Sequence, residues 1–119
     1  MMHEALAMIE DGICTVEDVD AVIRRMLGPR MSITGLILQK DISGLQTTAA
    51  THRSVIPDLY HTKTPVALLQ DKVAAGNHGM QTGEGFYDWR GKDTETYKRT
   101  VARKLARLLK YLEDDEPLP

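Results

Sequence analysis

Apolar side chains recur at helical spacing along most of this chain. Met2, Leu6, Ile9 and Ile13 are separated by four, three and four residues, which places them on one face of a helix. No segment alternates apolar and polar residues with the period of two that a half-buried strand requires. The pattern therefore predicts an all-α architecture of five or six helices.

The first two predicted helices are joined by a short break. Gly12 is placed to end the first helix in the left-handed conformation. Thr15 is suited to cap the second helix, which has acidic residues in its first turn, and Gly28-Pro29 is expected to stop it. The residues that this second helix is expected to direct into a core are Val16, Val19, Val22, Ile23 and Met26.

The middle of the chain contains shorter and less regular helical segments. Residues 31–38 are apolar but short, and either a buried helical turn or a strand would fit them. Helical spacing resumes over residues 45–60, until Pro57 ends or kinks the run. Pro65 is suited to the first position of the next helix, with Gly76 as its cap.

The last predicted helix begins at Asp93-Thr94-Glu95 and is amphipathic. Its many cations are expected to lie on a solvated face, the alternative being contact with an acidic surface or an anionic ligand. The helical domain is predicted to span residues 1–112, and an acidic tail of residues 113–119 is expected to fray or be disordered. The seam expected to lie in the core, or across a two-fold axis, consists of Tyr97, Val101, Leu105, Leu108 and Leu112.

Composition narrows the class of protein. A chain of 119 residues is sized for one domain, and its formal charge of −2 gives no indication of nucleic-acid or anionic-membrane binding. The lone cysteine, Cys14, excludes an internal disulfide and suits a reducing cytosol. There is no apolar stretch of membrane-spanning length and no signal-peptide pattern. We therefore expect a cytoplasmic protein with no nucleic-acid or membrane partner.

The residue types that carry catalysis or bind metals form no recognisable motif. The histidines show no i, i+4 pair and no carboxylate at metal-ligand spacing, so no zinc site is expected. The serines lack a nucleophile-elbow motif, which leaves hydrolase chemistry without support. We expect neither a catalytic residue nor a metal ligand in this chain.

A glycine-rich run, residues 76–89, is the most distinctive stretch. It contains four glycines and ends in Phe86-Tyr87-Asp88-Trp89. A phosphate-binding loop requires a strand before its glycines and a helix N-terminus directly after them. Here a helical segment precedes the glycines and aromatic residues follow them. The run therefore predicts a shaped turn that docks aromatic side chains on a helical body.

The order of these motifs resembles the C-terminal domain of the 3-hydroxyacyl-CoA dehydrogenase family over roughly residues 3–90. The resemblance implies a fold similar to the C-terminal part of 6-phosphogluconate dehydrogenase. It also implies a homodimer that closes over a substrate held against an NAD-binding Rossmann domain. The residues that carry it are Glu17-Asp18-Val19-Asp20, Asp41 followed by Gly44-Leu45, and Thr82-Gly83-Glu84-Gly85-Phe86-Tyr87-Asp88-Trp89.

The same resemblance places catalysis outside this chain. The family's catalytic His–Glu pair lies in the Rossmann domain, whose strand–glycine–helix unit has no counterpart here. His3-Glu4 cannot replace that pair, because adjacent residues on a helix point about 100° apart. We expect no cofactor bound by this domain, NAD bound by the full enzyme, and a Rossmann domain supplied in cis or in trans.

Three positions are informative when the chain is compared with the family's usual residues. The family commonly has Lys where Gln81 stands and Asp where Gln46 stands, so each position has lost a charge. Arg30 matches an arginine that faces the domain cleft in part of the family, where a guanidinium can bind a carboxylate or phosphate by two parallel contacts. The alternative is that Arg30 is a surface or interface arginine after a helix break.

Three functions are compatible with these residues. The first is the substrate-side and dimerisation domain of an NAD-dependent 3-hydroxyacyl-CoA dehydrogenase of fatty acid metabolism, inactive alone. The second is a non-enzymatic helical interaction module that kept the fold. The third is a domain of a hydroxy-acid dehydrogenase without CoA, in which Arg30 contacts the substrate carboxylate.

Overall fold

The structure, a computed structural model, describes residues 1–117, and the regular secondary structure in that range is helical. Its only β-type pairings there are isolated bridges between Gly79 and Glu84 and between Glu84 and Asp88. The chain divides into two compact units, residues 1–75 and the residues from 76 onward. The helices are α1 (Met2–Glu10), α2 (Val16–Val22), a π-helical turn (Ile23–Leu27), α3 (Gly28–Thr34), α4 (Leu36–Ser43), α5 (Leu45–Val55), α6 (Ala67–Ala74) and α7 (Thr94–Asp114), with 3-10 turns at Ile56–Asp58 and Met80–Thr82.

The predicted all-α class is confirmed. The segments α2, the π turn and α3 follow one another without a break, so residues 16–34 form one continuous rod. Counted in this way, the described residues form six helices, which is within the predicted number. The prediction succeeds because each helix is specified locally by its apolar spacing and its caps.

The start of α2 is specified by a capping box. The Asp18 backbone N–H donates to Thr15 Oγ1 at 3.1 Å, and the Thr15 backbone N–H donates to Asp18 Oδ2 at 2.9 Å. The bond from the Thr15 backbone is the larger cause that holds the pKa of Asp18 below its usual range. The predicted cap is confirmed, and Gly12 adopts the left-handed conformation expected of it.

The prediction that Gly28-Pro29 stops the second helix is wrong. The rod continues to Thr34, because the chain widens into a π turn before the proline. Pro29 has no N–H to donate and its ring would clash with the carbonyl four residues earlier in an α-helix. In the wider turn the Gly28 N–H donates to the carbonyl of Ile23. A Cβ on Gly28 would lie 2.8 Å from that oxygen, so the turn needs glycine there.

The helix predicted to begin at Pro65 starts later than expected. Val66 is extended and caps α6, which begins at Ala67, so Pro65 lies outside the helix. The carbonyl of Pro65 accepts from the side-chain amide of Gln70 at 2.9 Å instead of joining the helical ladder. Pro57 behaves as predicted, because α5 ends at Val55 and a 3-10 turn follows.

Few side chains of the described residues are buried. The buried hydrophobic residues are Leu6, Ala7 and Val66, which join α1 to the start of α6. Val22 and Met26, expected to point into a core, are about half exposed, at 52% and 54%. The prediction that this face lies in a core is wrong for the described residues, because neither α2 nor the π turn has a buried side chain and the buried contacts there are made by α1 and the start of α6.

Helix α7 begins and ends close to the predicted residues. The Thr96 backbone N–H donates to Asp93 Oδ1 at 3.0 Å, so Asp93 caps the helix as expected. The helix runs to Asp114, two residues into the predicted acidic tail, and residues 115–117 are not helical. The last two residues of that tail lie outside the described range. The boundary between domain and tail stays a prediction.

Candidate functional site

The glycine-rich run forms a compact turn held by its own backbone. The Gly79 N–H donates to the Glu84 carbonyl at 2.8 Å, and the Trp89 N–H donates to the Gly83 carbonyl at 2.9 Å. The hydroxyl of Thr82 lies at its centre, where it accepts from the His78 N–H at 2.9 Å and contacts the Glu84 carbonyl at 3.1 Å. The turn is therefore a rigid element with its own hydrogen bonds.

Gly85 allows two backbone segments of this turn to approach closely. It is buried, and a Cβ built on it would lie 2.7 Å from Gly79 Cα and 3.0 Å from Gly79 N. Backbone contacts of this kind cannot move aside as a flexible side chain would. The Gly-Glu-Gly order is thus explained by two demands: positive φ at Gly83, at +84°, and close packing at Gly85.

The aromatic residues after the turn pack on one another and on α7. The Trp89 ring lies edge-on to Tyr97 with centroids 5.0 Å apart, and Tyr87 approaches Trp89 at 6.5 Å. The Lys92 ammonium lies 5.5 Å from the centre of the Trp89 ring, within cation–π range. The predicted aromatic anchor is present, and it joins the turn to the first helical turns of α7.

An ion pair closes the end of the turn. Arg90 Nε and Nη2 each donate to one carboxylate oxygen of Asp88 at 2.9 Å, and the Arg90 backbone N–H donates to Asp88 Oδ1 at 3.0 Å. The side-chain bonds, followed by the backbone bond, lower the pKa of Asp88 to about 2. Both side chains are exposed, so the pair fixes local geometry and adds little to global stability.

Arg30, the candidate substrate ligand, is exposed near the start of α3, just after the π turn. Its Nη1 donates to the carbonyl of Met26 at 2.6 Å. A guanidinium has five N–H donors, so this bond leaves others to bind an anion. Insertions of this π type occur frequently at functional sites.

A cleft of about 360 Å³ lies at the start of α1, within residues 1–75. The Thr62 hydroxyl donates to the Thr64 carbonyl at 2.7 Å, so it accepts from His3 Nε2–H, 3.0 Å away. The His3 ring also lies 5.0 Å from that of Tyr60. The cleft is lined by Met2, His3, Leu6, Thr62, Lys63, Thr64, Pro65, Val66 and Leu69.

Helix α4 exposes apolar side chains on its surface. Ile37 is 73% exposed and Ile42 is 69% exposed. An exposed apolar patch of this kind is typical of an interface with another protein surface. We call it the α4 surface, and it comprises Leu36, Ile37, Leu38 and Ile42, all at least 44% exposed.

Within residues 1–117 no three His, Cys, Asp or Glu side chains come together at metal-binding distance. No helix in the same range has the length and apolar character needed to cross a bilayer.

Comparison with known proteins identifies the domain. The family described as 3-hydroxyacyl-CoA dehydrogenase, C-terminal domain, matches residues 1–89, which is most of the chain and ends at the aromatic anchor. The chain belongs to this family. The resemblance carried by the glycine turn and the Glu17-Asp18-Val19-Asp20 segment is thereby confirmed.

Relatives of this family domain include enzymes with and without CoA in their names. The chain is 35% identical to a 3-hydroxybutyryl-CoA dehydrogenase of Bradyrhizobium diazoefficiens over 76% of its length, covering 30% of that protein. It is 24% identical to 5-formyl-3-hydroxy-2-methylpyridine 4-carboxylate 5-dehydrogenase of Mesorhizobium japonicum over 98% of its length, covering 38% of that protein. The chain thus spans about a third of these relatives.

A solved structure shows the same fold as this family domain. The crystal structure of 5-formyl-3-hydroxy-2-methylpyridine 4-carboxylic acid 5-dehydrogenase, an NAD+-dependent dismutase, matches with a TM-score of 0.90 and 24% identity. The match covers 97% of this chain and 37% of that one, so it includes α7, which lies beyond the matched family region.

Several contacts of the family domain were not predicted from the sequence. Gly85 was identified only as flexible, because its close approach to Gly79 depends on the folded turn. The Asp88–Arg90 pair has a local signal, a carboxylate two residues before an arginine, that sequence reasoning could have used. Gln81 is exposed in the 3-10 turn, and the Gln46 side chain lies beside Gly44; both are neutral amides that cannot form an ion pair.

Proposed function

We propose that this chain is the substrate-side and dimerisation domain of an NAD-dependent 3-hydroxyacyl-CoA dehydrogenase. The observation that carries the proposal is the family match over residues 1–89, which includes the whole glycine turn and its anchor. The exposed α4 surface supports it, because a domain of this kind buries apolar helices against other protein surfaces.

The proposed reaction needs a second domain. Oxidation of a 3-hydroxyl requires the nicotinamide of NAD to be held against the substrate carbon, together with a base for the hydroxyl proton. The described residues provide no strand–glycine–helix unit for a dinucleotide. The domain is therefore inactive alone, and its role is to cover the substrate held by a Rossmann domain.

Arg30 is the residue proposed to contact the substrate. It is exposed, it follows the π turn, and it has N–H groups beyond the one given to Met26. A guanidinium in this position would bind a phosphate of CoA or a substrate carboxylate.

A second substrate class is favoured by one observation. The match to the pyridine-carboxylate dehydrogenase extends over 98% of this chain, whereas the match to the CoA-dependent enzyme covers 76%. We accordingly keep a hydroxy acid without CoA as the second candidate. In that case Arg30 would bind the carboxylate directly.

The experiment that separates the two classes uses a chimera. The matched segment of the Bradyrhizobium 3-hydroxybutyryl-CoA dehydrogenase is replaced by this chain, and NADH formation is measured with 3-hydroxybutyryl-CoA and with free 3-hydroxybutyrate. The proposal predicts turnover of the CoA ester. Turnover of the free acid alone would favour the second candidate, and a folded chimera inactive on both would favour a non-enzymatic module.

The proposed assembly is a cytoplasmic homodimer. Apolar side chains such as Ile37 and Ile42 would be covered when two copies associate. Sedimentation at micromolar concentration is expected to give the mass of a dimer. A monomeric profile across that range would contradict this part of the proposal.

A further inference from the structure

Helix α7 carries an apolar stripe outside the region that matches the family. Four of its side chains are spaced by four, three and four residues, the a/d pattern of a coiled coil. Three of them are 46–52% exposed and the fourth is half-buried. We call this the α7 stripe, and it comprises Val101, Leu105, Leu108 and Leu112. Tyr97 is left out because its ring contacts Trp89.

Charge is distributed unevenly along the same helix. Six cations lie between Lys98 and Lys110, and four consecutive acidic residues follow at 113–116. The basic part and the acidic part thus occupy opposite ends of the α7 stripe. A surface of this kind is complementary to a copy of itself that runs in the opposite direction.

We propose that α7 pairs antiparallel with α7 of a second copy of this chain. The spacing of the α7 stripe fixes the register, because a two-fold axis between Ala106 and Arg107 places all four side chains in shared layers. In this register Leu105 of each copy faces Leu108 of the other. The outer apolar layers pair Val101 with Leu112.

The layer beyond each end of the stripe is charged and complementary. The same symmetry places Lys98 opposite Asp115 of the second copy, the residue that directly follows α7. Lys98 contacts Glu95 of its own helix at 3.4 Å, and both side chains are exposed, so that pair can be exchanged at little cost. A parallel pair in register would instead place Lys98 against Lys98.

The positions that flank the stripe extend the same interface. The register brings Ala102 near Leu109 and Lys104 near Tyr111 of the second copy, and Leu109 and Tyr111 are 56% and 61% exposed. The register also brings Glu95 near Glu116 of the second copy, a like-charged pair that opposes the attraction between Lys98 and Asp115. Exposed apolar side chains therefore lie on both sides of the stripe.

A second copy explains α7 better than an anionic lipid surface does. Lipid binding would use the cations but would bring the acidic residues 113–116 against like charge. The antiparallel pair uses both ends of the helix. The pairing extends the homodimer proposed above, so it rests on that part of the proposed function and not on the dehydrogenase chemistry.

Disulfide cross-linking tests the register directly. In a Cys14→Ala background, one chain carries Leu105→Cys and another carries Leu108→Cys, and the two are mixed under mild oxidation. The proposed register predicts that the 105–108 heterodimer predominates. In this register the two copies of residue 105 are displaced from each other along the helix axis by about 4.5 Å, as are the two copies of residue 108. This displacement disfavours disulfides between identical positions. Absence of the heterodimer, or bridges mainly between identical positions, would overturn the proposal.

Exchanging the charges of the proposed pair provides an independent test, in which sedimentation equilibrium of the 119-residue chain measures the dimer dissociation constant. Lys98→Asp is expected to raise the dimer dissociation constant about tenfold, and adding Asp115→Lys is expected to restore it. The matched control is Arg103→Gln, on the face of α7 opposite the stripe, with no expected effect. Equal effects of Lys98→Asp and the control, no rescue, or a monomer throughout would overturn the pairing. The chimera's activity is measured separately, so failure of one claim is distinguishable from failure of the other.

Discussion

The Trp89 indole meets the Tyr97 ring edge-on, with centroids 5.0 Å apart and planes inclined by 81°. This contact connects the end of the glycine turn to the first turns of α7. We predict that Trp89→Ala lowers the free energy of unfolding by roughly 2 kcal/mol, less than for a fully buried tryptophan because the side chain is half-buried. Urea unfolding followed by circular dichroism measures it.

The control for this prediction keeps the ring and removes only a hydroxyl. Tyr97→Phe retains the edge-on geometry and is expected to change stability by less than about 0.5 kcal/mol. If both substitutions were equally mild, the aromatic contact would not be holding the turn on α7.

Gly85→Ala is predicted to destabilise the domain by about 1–3 kcal/mol, since its Cβ would collide with the backbone of Gly79. The same denaturation experiment measures the loss. Gln81→Ala, exposed in the same turn, serves as the control with an expected change near zero. An unchanged midpoint for Gly85→Ala would mean that the turn opens freely to accept a methyl group.

The capping box predicts a graded effect at Thr15. Thr15→Ala removes the acceptor for the Asp18 N–H and is expected to cost about 1 kcal/mol. Thr15→Ser keeps that acceptor and should retain most of the stability. Equal losses for the two variants would show that the threonine methyl group, rather than the cap, is what matters there.

The Asp88–Arg90 pair predicts a titration well below the usual range of an aspartate. The pKa of Asp88 is lowered from 3.8 to about 2, chiefly by the Arg90 side chain. Because the folded pKa is depressed, any stability from this pair is present above pH 4 and is lost as the pH falls towards 2. Carbon-detected NMR of the Asp88 carboxyl measures the midpoint.

The matched variant for this titration is Arg90→Gln. Its expected result is a midpoint that moves part of the way back towards 3.8, since the guanidinium donors and their charge are gone while the backbone N–H of residue 90 remains. A midpoint near 4 in the unaltered chain, with no response to Arg90→Gln, would show that the pair does not persist in solution.

Features of the fold with local causes were predictable from the sequence. The caps at Thr15 and Asp93 need only residues three positions apart, and both form as expected. The glycine turn was recognisable because its order of residues satisfies local φ and packing demands. These interactions do not depend on how distant parts of the chain meet.

Features that depend on more than one segment were not predictable in the same way. Pro29 has no backbone N–H to donate, yet the helix continues past it. The π turn makes this possible because Gly28 can approach the carbonyl of Ile23 closely. Val22 and Met26 are about half exposed, because the cover of an apolar face depends on which other segments pack against it. An apolar face can be read from a sequence, whereas the partner that covers it cannot.

Arg30 gives a prediction about substrate binding in the chimera. Arg30→Ala is expected to raise the KM for the CoA ester about tenfold with a smaller change in kcat, because a salt bridge to an anion is lost while the chemistry lies elsewhere. Arg24→Ala, an exposed arginine on the same rod, is the control. An unchanged KM in Arg30→Ala would return Arg30 to the role of a surface residue.

The most direct measurement compares NADH formation by the 119-residue chain alone with that of the chimera, at equal concentration and with 3-hydroxybutyryl-CoA and NAD+. A domain that covers the substrate but has no hydride chemistry of its own predicts no rate above background for the chain and turnover for the chimera. NAD-dependent oxidation by the chain alone, or a folded chimera without activity, would contradict the account.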